Sequence, residues 1–183
     1  VNTSNTYAAI PPLQFWKDNG LLDKSVKQVI SDRSVLPLSG ISLSPTVHCN
    51  EIGKWRRYRS DKKGFSNPPS AFSQTADIVL VGDSFAHGSC VPEGLDIGGH
   101  LRTLGHSTVN LGMFYNDPLL ELASLREYAA HIRPKWLVWL YFEWDLPQLV
   151  TTAKSQVLRE YLDNPDFSLN LIQRQPAIDT LLI

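Results

Sequence analysis

The stretch Asp77-Ile-Val-Leu-Val-Gly-Asp-Ser-Phe85 contains an apolar run that is followed directly by small and polar residues. Its first half is the kind of short aliphatic run that forms a buried strand. The run ends in Gly82-Asp83-Ser84-Phe85, and small polar residues follow it up to Ser89. Because open α/β sheets bind ligands beyond the carboxyl ends of their strands, this pattern places the Ser84 hydroxyl where a ligand would lie. A serine in that position is a nucleophile if a base reaches it.

Strand and helix patterns alternate downstream of residue 77. Strands are predicted at Thr108–Leu111 and Trp136–Phe142, and helices around 97–104 and from Pro118, where Asp117 is the expected cap. A last helix is predicted with one apolar face that carries Leu149, Ala153, Val157 and Tyr161. This order predicts the α/β class, as a three-layer α/β/α sandwich with a flavodoxin-like parallel sheet.

The third predicted strand, Trp136–Phe142, is apolar at every position, which is typical of a strand covered on both faces. In the flavodoxin-like order (second, first, third) it would nevertheless lie at an edge, where exposed apolar residues favour aggregation. The simplest resolution is that the sheet is incomplete and that further strands lie beyond Ile183. A partner chain, as in a homo-oligomer, or the N-terminal hairpin could cover the edge instead.

The first 70 residues are expected to form an N-terminal extension. Residues 1–20 are polar and contain proline, so we expect them to be poorly ordered, and apolar spacing predicts a short helix around 21–31. Two loosely alternating runs, 41–49 and 55–60, predict a β-hairpin, and Asn67-Pro-Pro-Ser70 a linker. The remaining residues, 71–183, form the predicted α/β domain, whose C-terminal part we expect to be missing.

Composition excludes several classes of protein. The net charge of −1 over 183 residues gives no electrostatic footprint for nucleic acid or an anionic membrane. The longest apolar run, 136–142, is too short to span a bilayer, and no signal peptide is recognisable. The compartment is therefore open: cytoplasmic, or periplasmic if a leader was removed. Cys49 and Cys90 lack metal-ligand spacing, so a zinc site is not expected, and two free thiols are favoured over a disulfide. No cofactor is expected either.

Three short motifs at successive strand ends resemble the sequence blocks of the SGNH (GDSL-type) hydrolases, in particular a bacterial subgroup. These are Gly82-Asp-Ser-Phe85, Asn110-Leu-Gly112 and Tyr141-Phe-Glu-Trp-Asp145, and the likeness covers about residues 77–150. The resemblance implies a serine esterase or acyltransferase that acts on an acyl ester, either a small molecule or one linked to carbohydrate. It implies Ser84 as the nucleophile, with the N–H groups of Ser84 and Gly112 in the oxyanion hole. Gly82, Asp83 and Asp145 would support the loops.

Two departures from the family pattern bear on activity. The third block usually reads Gly-x-Asn-Asp, and here Glu143-Trp144-Asp145 lacks the Asn that donates to the oxyanion. The Trp144 indole N–H and the Asn116 amide are the candidate substitutes, although Asn116 could simply belong to the helix entry at Asp117. The family's catalytic Asp-x-x-His is also missing from these 183 residues.

None of the five histidines is an obvious base. His87 follows Ser84 by three residues, but its own helical turn should aim the ring elsewhere. His48, His100, His106 and His131 are expected to be solvated or hydrogen-bonded. A serine without a base is a poor nucleophile, so we expect little or no hydrolase activity from this chain.

Two other functions stay open at this point. A non-catalytic SGNH-like domain that binds an acylated or glycan ligand would account for the altered third block. A phosphate- or nucleotide-binding flavodoxin-like module would use the small-residue loop 82–89 at the start of a helix. The second alternative lacks a Gly-x-Gly-x-x-Gly or Walker motif.

Overall fold

The computed structural model describes residues 5–72 and 75–183. Residues 5–60 form two short helices and a small sheet of order β1-β2-β3, in which β1 is parallel and β3 antiparallel to β2. The elements are β1 (Tyr7–Ala8), α1 (Pro12–Asp18), α2 (Val26–Ser31), β2 (Pro45–His48) and β3 (Arg56–Arg59). The hairpin predicted from the alternating runs is therefore present as β2 and β3.

A second sheet, of three parallel strands, carries the rest of the chain and makes the protein a mixed α/β structure. Its strand order is β5-β4-β6, so the strand before Ser84 lies in the middle. The elements are β4 (Ile78–Val81), α3 (Ser84–His87), α4 (Ile97–Thr103), β5 (Thr108–Asn110), α5 (Pro118–Ser124), a π-helical turn (Leu125–Ala129), β6 (Trp136–Trp139), α6 (Asp145–Thr152), α7 (Gln156–Asp163) and α8 (Gln175–Leu182). No helix in the described ranges is both long and apolar enough to cross a membrane.

Local sequence explains where most of these helices begin. The Asp117 carboxylate accepts hydrogen bonds from the backbone N–H groups of Leu119 and Leu120, and Pro118 occupies the first turn of α5. Ser25 and Gln28 form a capping box at the start of α2. That box explains why α2 begins at Val26 and not near residue 21, as the apolar spacing suggested.

Three expectations about element boundaries are wrong. Residues 5–20 are not irregular, since they contain β1 and α1; Val1–Ser4 lie outside the described residues. The predicted last helix is two helices, because Ser155 ends one segment and caps α7 through the Leu158 N–H. The third strand of the second sheet ends at Trp139, three residues earlier than the apolar run indicates.

Strand β6 lies at an edge of the sheet, and its side chains are largely exposed. Trp136, Leu137 and Trp139 are 69%, 52% and 40% accessible, whereas all four residues of β4 are buried. Among the described residues β6 pairs only with β4. The apolar composition of β6 is therefore not explained by burial within this chain.

The N-terminal segment and the second sheet share one hydrophobic core. Phe65 packs edge-on against Tyr128, with ring centroids 4.9 Å apart, and Ser39 bonds the Tyr128 hydroxyl. Asn67, in the predicted linker, bonds both the N–H and the carbonyl of Asn110 on β5. The division near residue 70 stays a prediction, and the core runs continuously across it.

Candidate functional site

A cleft with a volume of about 870 Å³ lies beyond the carboxyl end of β4. Ser84 lines it from the first turn of α3, and the loop after the β2 strand also lines it. Five aromatic side chains line the cleft: Phe85, Phe114, Tyr115, Phe142 and Trp144. A cleft of this size with an apolar lining and a few polar groups has the usual character of a small-molecule site.

Asp83 holds the loop that presents Ser84. One carboxylate oxygen accepts from the Phe85 N–H at 2.9 Å, and the other accepts from the Ser84 hydroxyl at 3.1 Å. Gly82 allows the sharp exit from the strand: its φ is +154°, and a Cβ there would lie 2.9 Å from the Leu140 carbonyl oxygen. No described histidine bonds the Ser84 hydroxyl, whose hydrogen-bond partner is the Asp83 carboxylate.

Gly112 packs directly against the helix that Ser84 begins. A Cβ at this position would lie 2.4 Å from the His87 nitrogen and 2.5 Å from the Ala86 carbonyl carbon. The fold therefore brings the Asn110-Leu-Gly112 motif next to the Gly82-Asp-Ser-Phe85 motif. The Gly112 N–H, however, donates to the side-chain oxygen of Asn110 at 2.8 Å. An oxyanion role for that N–H requires this hydrogen bond to open or to be shared.

The two candidates for the third oxyanion donor lie in different surroundings. Trp144 lines the cleft and is 66% exposed. Asn116 is fully buried, does not line the cleft, and has no hydrogen-bond partner for its side-chain amide among the described residues. Asp145 is buried, and its carboxylate accepts from the Phe142 N–H at 3.0 Å, which ties down the loop after β6. Burial is the largest cause of the raised pKa of Asp145.

The disulfide Cys49–Cys90 corrects the expectation of two free thiols. The Cα atoms of the pair are 5.3 Å apart, and the bond joins the end of β2 to the loop after α3 across 41 residues. Glu51 lies close to both sulfur atoms. Since the two sulfurs are bonded to each other, these three residues do not form a thiolate metal site.

Two histidines meet at one serine hydroxyl beside the disulfide. Ser89 Oγ lies 2.9 Å from Nε2 of His48 and 3.2 Å from Nδ1 of His87, whose Nε2 lies 3.3 Å from the Tyr58 hydroxyl. His48 and Ser89 line the cleft, whereas His87 is fully buried. Burial lowers the pKa of His48 to about 4 and the pKa of His87 well below its usual range, with a smaller contribution from Arg56. Both rings are therefore neutral at neutral pH.

Sequence reasoning missed this group. His48 and Ser89 are 41 residues apart, and no local pattern joins them. The one available signal was that each residue directly precedes a cysteine, so that a disulfide would bring the two side chains together.

A buried carboxyl group, that of Glu121, lies near the carboxylates of Asp83 and Asp145 that line the cleft. Glu121 of α5 is fully buried, and one of its oxygens accepts from the Trp139 indole N–H at 2.6 Å. Burial raises the pKa of Glu121 to about 8; the indole hydrogen bond opposes this, and the nearby charges of Asp145, Asp83 and Asp117 add to it. Glu121 is therefore largely protonated at neutral pH.

The charges around the cleft favour a neutral or cationic ligand. Four carboxyl side chains line it, from Glu51, Asp83, Asp96 and Asp145, and no lysine or arginine does so among the described residues. An anion such as phosphate would meet these groups without a compensating cation.

Comparison with known proteins gives no relative for this chain. No family model, curated protein or solved structure matches it.

Proposed function

We propose that the Ser84 cleft belongs to an SGNH-like serine esterase or acyltransferase that acts on a neutral acyl ester, including one linked to carbohydrate. The observation that carries the proposal is the position of Ser84: it begins a helix at the carboxyl end of the middle strand of a parallel sheet and lines a cleft of about 870 Å³. The Gly112 backbone beside the same helix adds support. The proposal includes a flavodoxin-like sheet within a three-layer sandwich.

In this mechanism the Ser84 oxygen attacks the ester carbonyl, and the developing negative charge faces backbone N–H groups of the loop. The described residues do not supply a histidine base for Ser84, whose hydroxyl bonds the Asp83 carboxylate. We therefore expect little or no turnover through Ser84 in this chain. Rapid hydrolysis of p-nitrophenyl acetate by this chain, abolished in the Ser84→Ala variant, would contradict that expectation.

The decisive test is covalent labelling of Ser84. The protein is expressed from its complete natural reading frame, treated with a fluorophosphonate, and the modified residue is mapped by mass spectrometry. Label on Ser84, and its loss in Ser84→Ala, is expected of an esterase or acyltransferase. A properly folded protein whose Ser84 stays unlabelled would refute the catalytic proposal.

A non-catalytic domain that binds an acylated or glycan ligand is the second candidate. The bond from the Ser84 hydroxyl to Asp83 and the bond from the Gly112 N–H to Asn110 favour it, because both groups are already satisfied. This candidate predicts ligand binding that survives Ser84→Ala. The third candidate, a phosphate or nucleotide module, is disfavoured by the carboxyl lining and predicts thermal stabilisation by phosphate.

Two further properties remain proposals. The exposed edge of β6 is consistent with a homo-oligomer or with further strands covering it, and sedimentation velocity distinguishes a dimer from a monomer. The disulfide favours an oxidising compartment such as the periplasm, because thiols are kept reduced in the cytosol.

A further inference from the structure

Besides Ser84, the cleft contains a second serine, Ser89, and this one has a histidine partner. The Ser89 backbone N–H donates to the Ser84 carbonyl at 2.9 Å, so Ser89 lies one turn beyond Ser84 on the same wall. Its hydroxyl oxygen is 2.9 Å from His48 Nε2, within the range expected of a nucleophile and its base. Ser84 has no such partner among the described residues, since its hydroxyl bonds Asp83.

One arrangement of hydrogens satisfies all three groups. The Ser89 hydroxyl has a single hydrogen, and a ring nitrogen of each of two imidazoles faces its oxygen. In this arrangement His87 Nδ1 donates to the oxygen and His48 Nε2 accepts the hydroxyl hydrogen. His87 is buried and its remaining nitrogen faces the Tyr58 hydroxyl, whereas His48 lines the cleft. His48 is thus the ring that can exchange a proton with a bound molecule.

The pair is held rigidly from both sides. His48 precedes Cys49 and Ser89 precedes Cys90, so the disulfide joins the backbone directly beside each of the two side chains. The His48 ring also packs on Phe114, with ring centroids 4.0 Å apart. Fixed geometry of this kind is what a nucleophile and base require, because a small displacement of either group costs much of the rate.

We propose that Ser89 and His48 are a nucleophile–base pair in this cleft, separate from Ser84 and reactive toward neutral acyl esters and their phosphonate analogues. The choice of ester as the substrate class rests on the proposed function, whereas the reactivity of Ser89 does not. In the reaction, a bond forms between Ser89 Oγ and the acyl carbon, and the bond from that carbon to the alcohol oxygen breaks. The Ser89 proton passes to His48 Nε2 and from there to the departing alkoxide, which leaves as the alcohol.

A fluorophosphonate tests the pair directly. A bond forms between Ser89 Oγ and phosphorus, the phosphorus–fluorine bond breaks, and fluoride leaves while the proton resides on His48. The chain described here is treated with the reagent, and the peptide that contains both serines is sequenced by mass spectrometry. We expect label on Ser89, and labelling slowed by at least about tenfold in His48→Gln, which keeps a hydrogen-bonding side chain but cannot act as the base.

Matched variants complete the experiment. Ser89→Ala should abolish this label, and His106→Gln, at an exposed histidine outside the cleft, should label at the parent rate. Reduction of the disulfide should slow labelling, with circular dichroism to establish that the fold persists. Label found only on Ser84, no label at all, or equal rates in His48→Gln and the parent would each overturn the proposal. Failure of the esterase proposal has a separate signature, namely an unlabelled Ser84 in the protein from the complete reading frame.

Discussion

Glu121 should make the stability of this protein depend on pH in a predictable way. Its pKa rises from 4.5 to about 8 on folding, chiefly because the side chain is buried. Between those two values the unfolded chain has an ionised Glu121 and the folded chain a protonated one. The folded state therefore binds one more proton, and its stability falls as the pH rises. Glu121 contributes this stability fully below about pH 4.5 and loses it as the pH passes through about 8.

The magnitude follows from the linkage relation. Each pH unit inside the window changes the free energy of unfolding by about 1.4 kcal/mol for one proton. From about pH 5 to about pH 7.5 the parent should therefore lose about 3 kcal/mol relative to Glu121→Gln, whose side chain stays neutral throughout. The amide oxygen of Gln can still accept from the Trp139 indole, so the two proteins should differ little at the acidic end.

Urea denaturation of both proteins at several pH values measures this difference. Other buried groups also titrate, for example Asp61, whose burial raises its pKa to about 7, but they are common to both proteins and cancel in the comparison. Glu93→Gln, at an exposed glutamate, is the control and should follow the parent curve. Parallel curves for the parent and Glu121→Gln would refute the reasoning, because they would show that Glu121 is ionised in the folded protein.

Two other variants test the packing around the cleft. Gly112→Ala places a Cβ 2.4 Å from the His87 nitrogen, so the helix must shift, and the free energy of unfolding should fall by about 1–3 kcal/mol; an unchanged thermal midpoint would mean that the backbone at Gly112 lies farther from the helix that begins at Ser84. Replacing Cys49 and Cys90 together by serine opens a link across 41 residues and should cost about 2–4 kcal/mol. Equal urea midpoints for the parent with and without a reducing agent would contradict a structural disulfide.

The elements that sequence predicted well are those with a local physical cause. The strand before Ser84 is an aliphatic run stopped by Gly82, whose left-handed φ and close approach to Leu140 exclude a larger residue. The start of α5 follows from Asp117 and Pro118, which satisfy or remove the free N–H groups of the first turn. In both cases a few neighbouring residues determine the outcome.

The elements that sequence predicted poorly depend on distant contacts or on competing local signals. The apolar spacing from Leu149 to Tyr161 continues through Ser155, so periodicity alone conceals the break that this serine cap creates. The disulfide and the pairing of His48 with Ser89 join segments about 40 residues apart. Periodicity has no access to such contacts, because they follow from the packing of the hairpin against the sheet.

That packing also makes the segment from His48 to Asn67 part of the candidate site. The hairpin supplies His48, which lines the cleft, and Tyr58, whose hydroxyl faces the buried nitrogen of His87. Farther along the segment, Asn67 bonds both backbone groups of Asn110, whose own side chain bonds the Ala86 carbonyl and the Gly112 N–H. A continuous chain of hydrogen bonds therefore joins residue 67 to the helix that begins at Ser84. Removing the N-terminal segment would take away the part of the cleft lining that it supplies, and also the bonds from Asn67 to Asn110 that position the loop at Gly112. The serine loop and the hairpin therefore form a single functional unit.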